Sequence, residues 1–273
     1  MGKRGKKQSV QKVTQPKRTG TAAGWSFYST ALRCWREWYL KYVQGLTPRI
    51  RPDYFRLGSA YHLFHEGMTH DEIAAQYPEL HDVLDEAEKH FKRRTSPLAP
   101  PMPKAVAHEQ PHEAYNGEYT CRLDRVEETG AREFKTAFAH RDSDKLKWDV
   151  DGEVIGELIA SGMPRVTVDQ ISKKDGTVKQ FPVMLTETKE SAFKNTIVDL
   201  IDQIQRRMKL YERDELKGYF LGTYFPRNNL SCVSSQYGKP CQFYELCWSA
   251  DPNVARLKFE TKENSSWRRR LLK

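Results

Sequence analysis

The spacing of its five cysteines is the feature that most constrains how this chain folds. Cys34 stands alone near the beginning, Cys121 lies in the middle, and Cys232, Cys241 and Cys247 follow one another near the end. Thiols that stay reduced in a cytoplasmic protein and occur in clusters more often bind metal than form disulfides. The layout predicts a metal centre that joins the two ends of one domain.

Length and composition favour a soluble globular protein. The chain has 273 residues, of which 38% are hydrophobic and 30% are charged. That composition supports one large core or two small ones. Because the chain shows neither an apolar run long enough to span a bilayer nor the apolar stretch of a signal peptide, we expect a cytoplasmic protein with no membrane partner.

The formal charge of +9 resides in the two ends of the chain. Seven cations lie within residues 1–18 and four within residues 268–273, and neither segment contains an acid. Subtracting these eleven cations leaves −2 for the rest of the chain. We expect both segments to be solvated tails, with a nucleic-acid-binding arm as the alternative.

The front third of the chain predicts helices. Ser26 or Ser29 can cap a helix that reaches about Val43, and a second helix begins near Gly58. Apolar residues at helical spacing over 80–91 predict a third helix, which a proline-rich loop follows.

From residue 105 the apolar period falls to about two, which predicts strands. Residues 105–115 and 118–126 flank Asn116-Gly117, a strong hairpin signal, and Thr129-Gly130 leads into a third antiparallel strand. This third strand covers residues 131–138. The elements predicted after it are a helix at 150–161, strands at 165–172 and 178–185, a long helix at 193–211 and a loop-like, cysteine-rich segment at 222–250.

Asp124, Glu133 and Lys135 predict a site on these strands. Residues two apart on a strand point to the same face, so Glu133 and Lys135 project together, and the hairpin returns them beside Asp124. Carboxylates suit Mg²⁺ or Mn²⁺, and a neighbouring lysine can orient a water or, with a lowered pKa, accept its proton. This trio suits metal-assisted phosphodiester hydrolysis. The alternative is an exposed, charged strand face.

His62 is a further candidate ligand. It lies on the helix near Gly58, where its imidazole is expected to face into the fold. His65 and Glu66 on the same helix compete for a metal role, and the alternative for His62 is a histidine of the core or the surface with no metal role.

Taken in order, these segments resemble the PD-(D/E)XK nuclease superfamily, in the RecB-like iron-sulfur branch that includes AddB, CRISPR-adaptation nucleases and phage exonucleases. The resemblance covers about residues 25 to 250. The segments that carry it are Ser29-Thr-Ala-Leu-Arg-Cys34, Leu57-Gly58-Ser-Ala-Tyr61-His62, Tyr119-Thr-Cys121-Arg-Leu-Asp124 and Glu133-Phe134-Lys135.

The resemblance implies an α/β (α+β) fold, with a restriction-endonuclease-like mixed central sheet flanked by helices. It also implies a [4Fe-4S] cluster that joins the N-terminal helix to the C-terminal loop, and its ligands would be Cys34, Cys232, Cys241 and Cys247. A tetrahedral zinc site built from the same thiolates is the alternative. Cys121 is expected to be a small buried residue outside the cluster.

For the site, the resemblance implies that Mg²⁺ or Mn²⁺ is bound by His62, Asp124, Glu133 and the backbone carbonyl of Phe134. Lys135 would position or activate water. The implied activity is a DNA exonuclease on single strands or free ends, in phage or bacterial recombination or end processing. The implied partner is a recombination or single-strand-annealing protein. If a phage encodes the chain, the implied location of the protein is the cytoplasm of the bacterial host. The alternatives are an inactive DNA-binding member of a recombination complex and a zinc-stabilised nucleic-acid-binding protein.

The chain departs from the family pattern in two places. Glu153 and Glu157 stand where the family often carries a Gln-x-x-x-Tyr pair that contacts DNA, and the gap from Cys232 to Cys241 is long. Acidic groups that face phosphate repel it unless they bind metal or point elsewhere.

The chain is expected to divide into five regions. They are a basic disordered tail (1–24), a helical region (25–104) that carries the first cluster cysteine and His62, a nuclease core (105–220), a cysteine-rich segment (221–250) and a C-terminal tail (251–273).

Overall fold

The computed structural model describes residues 23–50, 52–213, 221–233 and 240–262. These residues form a mixed α/β fold in which helices flank a five-stranded mixed sheet, as the sequence predicts. None of the helices in these ranges is long and apolar enough to cross a bilayer.

Seven strands form two sheets in the described part of the chain. They are β1 (Leu46–Pro48), β2 (Ala105–Ala114), β3 (Tyr119–Glu127), β4 (Gly130–Ala137), β5 (Val166–Ser172), β6 (Val178–Val183) and β7 (Phe259–Thr261). The main sheet has the order β2-β3-β4-β5-β6, in which β4 and β5 are parallel and the other neighbours antiparallel. The predicted hairpin at Asn116-Gly117 is confirmed, and its connection consists of the four residues 115–118, in which Tyr115, Asn116 and Gly117 all have positive φ angles.

The helices follow the predicted order with several additions. In chain order they are α1 (Trp25–Arg33), α2 (Trp35–Trp38), α3 (Asp53–His65), α4 (His70–Gln76), α5 (Leu84–Arg94), α6 (Asp144–Asp149), α7 (Gly152–Ser161), α8 (Glu187–Arg213), α9 (Leu221–Tyr224), α10 (Asn229–Val233), α11 (Tyr244–Trp248) and α12 (Pro252–Arg256). The sequence does not predict α4 or α6. A capping box of Thr69 and Glu72 starts α4, and that pair is a recognisable sequence signal.

The first predicted helix is interrupted at Cys34. This residue has an extended backbone, with φ −161° and ψ 113°, and separates α1 from α2. A π-helical turn, Tyr39–Val43, follows α2. The backbone carbonyl of Pro226 accepts a hydrogen bond from the Arg36 N–H at 3.1 Å, so a segment from the far end of the chain stabilises the interruption.

Helices cover the two faces of the main sheet differently. On one face, Phe134 and Ile171 pack with apolar residues of α3 and α5. On the other face, Leu123 and Val166 pack with Val154 and other apolar residues of α7. Since side chains alternate between faces along β4, Glu133 and Lys135 project to the α7 side while Phe134 points away.

The described residues of the C-terminal region contain more secondary structure than the sequence predicts. The expected loop at 222–250 contains short helices, and within the expected tail β7 pairs antiparallel with β1 through Pro48 and Phe259. Both basic segments, 1–18 and 268–273, lie outside the described residues, so the prediction of solvated tails stays a prediction.

Candidate metal-binding cleft

A cleft opens where β3 and β4 separate. Within the described residues, Arg125 and Arg132 form the last β3–β4 pair before the separation, while β4 continues beside β5 as far as Ala137. At the opening, the backbone N–H of Phe134 donates to Asp124 Oδ2 at 2.9 Å, so a side chain takes the place of a strand partner. The cleft has a volume of about 400 Å³, and its charged and imidazole lining is His62, Glu109, Arg122, Asp124, Glu133, Lys135, Glu153 and Glu157.

Three residues at one wall have ligand atoms close enough to hold a metal ion. Those of His62, Glu109 and Asp124 lie within 4.8 Å of one another. His62 comes from α3, and its Nδ1 is 3.1 Å from Asp124 Oδ1. The strand pairs on either side, His108 with Arg125 and Gln110 with Leu123, place Glu109 opposite Asp124.

Glu109 has a strained backbone. Its φ angle is +50°, in the left-handed region that costs most non-glycine residues roughly 1–2 kcal/mol. Such strain persists where the surrounding structure fixes it and is concentrated at functional sites. Here the strained residue brings a carboxylate to the candidate metal ligands.

Asp124 and Glu133 behave as a coupled pair. Burial by itself raises the pKa of Asp124, but the His62 imidazole, the hydrogen bond with Glu133 and the Lys135 ammonium hold that pKa well below its usual range. Burial and then the Asp124 charge raise the pKa of Glu133 well above its usual range. Without a bound cation, the pKa values of these two carboxyl groups are therefore pushed apart in opposite directions.

A second acidic group lies beside the first. Ligand atoms of Glu133, Glu153 and Glu157 lie within 4.8 Å of one another. Lys135 Nζ is 2.5 Å from Glu133 Oε1 and 2.8 Å from Glu153 Oε2. The pKa of Glu157 is raised well above its usual range, by burial and then by the Glu153 charge.

The sequence leaves two roles open for Lys135, orienting a water or accepting its proton with a lowered pKa, and the cation-free cleft does not lower that pKa. Burial favours the neutral amine, but Glu133, Glu153 and Asp124 outweigh it and raise the pKa of Lys135 well above its usual range. Lys135 is therefore an ammonium in the cation-free cleft, suited to donating hydrogen bonds and unsuited to accepting a proton.

The fold brings the predicted residues His62, Asp124, Glu133 and Lys135 to one cleft. His65 and Glu66 lie outside the cleft lining. The His65 ring stacks on Phe134, with 3.6 Å between ring centroids, and it is buried in the core. His62 is therefore the one of the two histidines placed to bind metal.

Sequence reasoning missed the position of three carboxylates. Glu109 carries no local signal, because its role depends on its register opposite Asp124. Glu153 and Glu157 are visible only as a departure from a family pattern, although their spacing of four places them on one face of α7.

Contacts across almost the whole chain bring the two cysteine-bearing segments together. The Arg33 carbonyl at the end of α1 accepts hydrogen bonds from Asn228 Nδ2 at 2.8 Å and Ser231 Oγ at 3.0 Å. These bonds place the segment before Cys232 against the helix that precedes Cys34. The Cys241 N–H donates to the Cys232 carbonyl at 2.9 Å.

The thiols share one electrostatic environment. Burial, and then the charges of Glu37, Cys247 and Cys34, raise the pKa of Cys241 to about 12, although a hydrogen bond with the Phe243 backbone acts in the opposite direction. Burial also raises the pKa of Cys247 to about 11, although Arg36 and Arg227 act in the opposite direction.

An indole and a guanidinium lie near these thiols. The Trp248 Nε1–H donates to Cys232 Sγ at 3.5 Å, and the Arg227 guanidinium, which is 4.7 Å from the centre of the Trp248 ring, acts to lower the pKa of Cys247. Cys121, in contrast, lies on β3 in the cleft wall, and it is buried.

Comparison with known proteins assigns no family. The scan of family models finds no match to this chain. The search of curated proteins finds no match either. Any function must therefore be argued from the cleft itself.

Proposed function

We propose that this protein is a Mg²⁺- or Mn²⁺-dependent deoxyribonuclease of the PD-(D/E)XK type that degrades DNA from free ends. One observation carries the proposal: His62, Asp124, Glu133 and Lys135, which the sequence pattern singles out, line a single cleft at the separation of two strands. His62 from α3 joins three residues of the β3–β4 hairpin there, and the carboxylates of Asp124 and Glu133 offer the oxygen atoms that a hard cation prefers.

The reaction is hydrolysis of a phosphodiester. The oxygen of a water bonds to phosphorus, the bond from phosphorus to one ester oxygen breaks, and the products are a phosphate monoester and a hydroxyl. The water loses one proton to a cleft carboxylate, and the leaving oxygen gains one from solvent. A bound Mg²⁺ or Mn²⁺ lowers the pKa of water and offsets charge on the phosphate oxygens.

Each residue has a distinct part in this proposal. His62, Asp124, Glu133 and the Phe134 carbonyl hold the cation, and Glu109 adds a carboxylate to that set. Lys135 orients the attacking water or a phosphate oxygen by hydrogen bonding, and the carboxylates around it raise its pKa in the cation-free cleft.

Aromatic residues at the cleft suit a DNA strand. Phe55 is 46% exposed and lines the cleft together with Trp25. Bases stack on such rings without sequence preference. Trp38 and Tyr39 on the first helical segments are instead buried in the core.

We also propose a [4Fe-4S] cluster held by Cys34, Cys232, Cys241 and Cys247. Hydrogen bonds from Asn228 and Ser231 to the Arg33 carbonyl bring the segment before Cys232 beside Cys34, which supports a centre shared by the two segments. Zinc sites are more often built from close Cys-x2-Cys pairs, and the sequence contains none, which favours iron-sulfur over zinc. The cluster would act as a structural clasp between the two ends of the domain.

Cleavage of end-labelled single- and double-stranded DNA with Mn²⁺ tests the nuclease proposal. Asp124→Ala and Lys135→Ala should abolish cleavage, while Asp199→Ala and Lys189→Ala, outside the cleft lining, should leave it unchanged. Activity that survives both cleft substitutions would reject the site. Linear substrates degraded with circular ones left intact would establish action on ends.

The same assay separates the principal alternative. A catalytically inactive DNA-binding protein would retard DNA in gels and leave it uncut with either metal. The coupled acidic residues and lysine favour catalysis, because binding phosphate alone requires no group of buried carboxylates.

Anaerobic purification tests the cluster. The proposal requires brown protein with about four iron atoms per chain. Colourless protein with stoichiometric zinc would instead establish the zinc alternative.

A further inference from the structure

We propose that Glu153 and Glu157 of α7, together with Glu133, form a second divalent-cation site beside the site of His62, Glu109 and Asp124. The ligand atoms of the three glutamates lie within 4.8 Å of one another. All three line the same cleft, so a cation can reach them from solvent. Carboxylate oxygens alone favour Mg²⁺ or Mn²⁺ over softer metals.

The strongest observation is the orphaned oxygen of Glu157. This residue is 3% exposed, and its Oε2 atom is buried without a hydrogen-bond partner among the described residues. A buried polar atom without a partner costs about 1–3 kcal/mol. A cation between the three glutamates would supply the missing partner.

Lys135 neutralises only part of this group. In the described structure its ammonium pairs with Glu133 and Glu153, and its ion pairs do not include Glu157. A divalent cation in the same place would contact all three carboxylates and displace the ammonium. The released ammonium would then be free to donate to substrate.

The fold places α7 unusually close to β3 at this point. A Cβ on Gly156 would lie 2.0 Å from the Tyr119 hydroxyl, so only glycine permits this approach. The close approach carries Glu157, the next residue along α7, into the buried end of the cleft. Glu153, one turn earlier, remains at the mouth with its side chain 44% exposed.

Glu133 joins the two sites. It belongs to the second group of ligands and is hydrogen-bonded to Asp124 of the first. Paired cations on either side of a phosphate stabilise both the attacking and the leaving oxygen. The catalytic role of the second ion rests on the proposed hydrolysis, whereas its binding is measurable without DNA.

The test counts Mn²⁺ bound to the chelator-treated, DNA-free full chain by calorimetry and by electron paramagnetic resonance of free Mn²⁺. Wild type should bind two ions, and Glu157→Gln, Glu153→Gln and Asp124→Asn should each bind one. Glu187→Gln alters an exposed acid at the start of α8 and should leave both ions bound. A single ion in wild type, or two in Glu157→Gln, overturns the inference.

Two controls keep the outcome unambiguous. Glu153 is partly exposed, so Glu153→Gln tests the site even where Glu157→Gln unfolds the chain. Lys135→Met should retain both ions and bind the second one more tightly, because the competing ammonium is gone. Unchanged affinity in Lys135→Met would refute that competition.

The results also separate this inference from the proposed function. Two bound ions with DNA left uncut would refute the nuclease and leave the second site standing. DNA cleavage that persists at the wild-type rate in Glu157→Gln, with one ion bound in wild type, would refute the second site and leave the nuclease.

Discussion

Replacing Arg94 with methionine should destabilise the fold severely, because Arg94 belongs to a buried ionic network. Arg94 is 1% exposed and Asp169 is 0% exposed. The Arg94 guanidinium donates to Asp169 Oδ2 at 2.7 and 2.5 Å and to the Pro100 carbonyl at 2.8 Å. Arg132 joins the same Asp169 oxygen at 2.8 Å and pairs with buried Glu127.

The size of the loss follows from the charge left behind. Asp169 pairs with Arg94 and Arg132, and Glu127 pairs with Arg132 and with the largely buried Arg125, so Arg94→Met leaves Asp169 with one guanidinium that it shares with Glu127. Removing one partner of a buried pair costs about 3–5 kcal/mol. Methionine preserves most of the apolar stem of arginine, so lost packing adds little.

Urea denaturation followed by tryptophan fluorescence measures the effect. With a slope of roughly 3 kcal/mol per molar urea, the midpoint should fall by about 1–2 M while the slope stays unchanged. Arg206→Met breaks an exposed pair with Asp202 and should change the unfolding free energy by less than about 0.5 kcal/mol.

A second variant tests the reasoning itself. If the loss comes from the carboxylate that is left short of a partner, Arg94→Met combined with Asp169→Leu should recover much of it, since that carboxylate is gone and Arg132 still pairs with Glu127. A loss for Arg94→Met no larger than that for Arg206→Met would refute the argument, as would a double variant less stable than the single one.

Three further predictions follow from separate parts of the molecule. Gly156→Ala should lower the melting temperature, since the added Cβ would overlap the Tyr119 hydroxyl. Gly58→Ala is the control and should leave it unchanged, because no atom lies within 4 Å of a Cβ added there. Equal melting temperatures for the two variants would contradict the prediction. Burial lowers the pKa of His90, so the folded protein binds fewer protons than the unfolded chain near and below the usual histidine pKa. The unfolding free energy should therefore fall as pH drops from 7 to 5, and less steeply in His90→Gln; identical slopes would contradict the prediction. Cys247→Ser should lower the iron content of anaerobically purified protein, and iron unchanged from wild type would remove Cys247 from the proposed cluster.

Local signals account for the parts of the fold that the sequence predicts. Asn116-Gly117 fixes the hairpin because its turn needs positive φ angles, and the apolar stripe of α8 shows directly in the spacing of its buried residues. Long-range contacts account for what it does not predict. The break at Cys34 is stabilised by residues near 226, and β1 and β7 are three-residue strands whose pairing joins distant parts of the chain.

The candidate site divides in the same way. Asp124, Glu133 and Lys135 were predictable because a hairpin and a period of two determine where side chains project. The role of Glu109 was not predictable, because its carboxylate reaches the cleft through a strained φ angle. The raised pKa of Lys135 was not predictable either, since it depends partly on the charge of Glu153, which lies on a helix later in the chain.

The bonds between the Arg33 carbonyl and the side chains of Asn228 and Ser231 have a consequence for biosynthesis. A ribosome adds about 5–20 residues per second, so the start of the chain waits roughly 10–40 seconds for these partners. During that interval the strands and α7 can already associate, while Cys34 stays without the other cysteine-bearing segment. We therefore expect the nascent chain to build its sheet first and to receive any metal cluster only after Cys247 has left the ribosome.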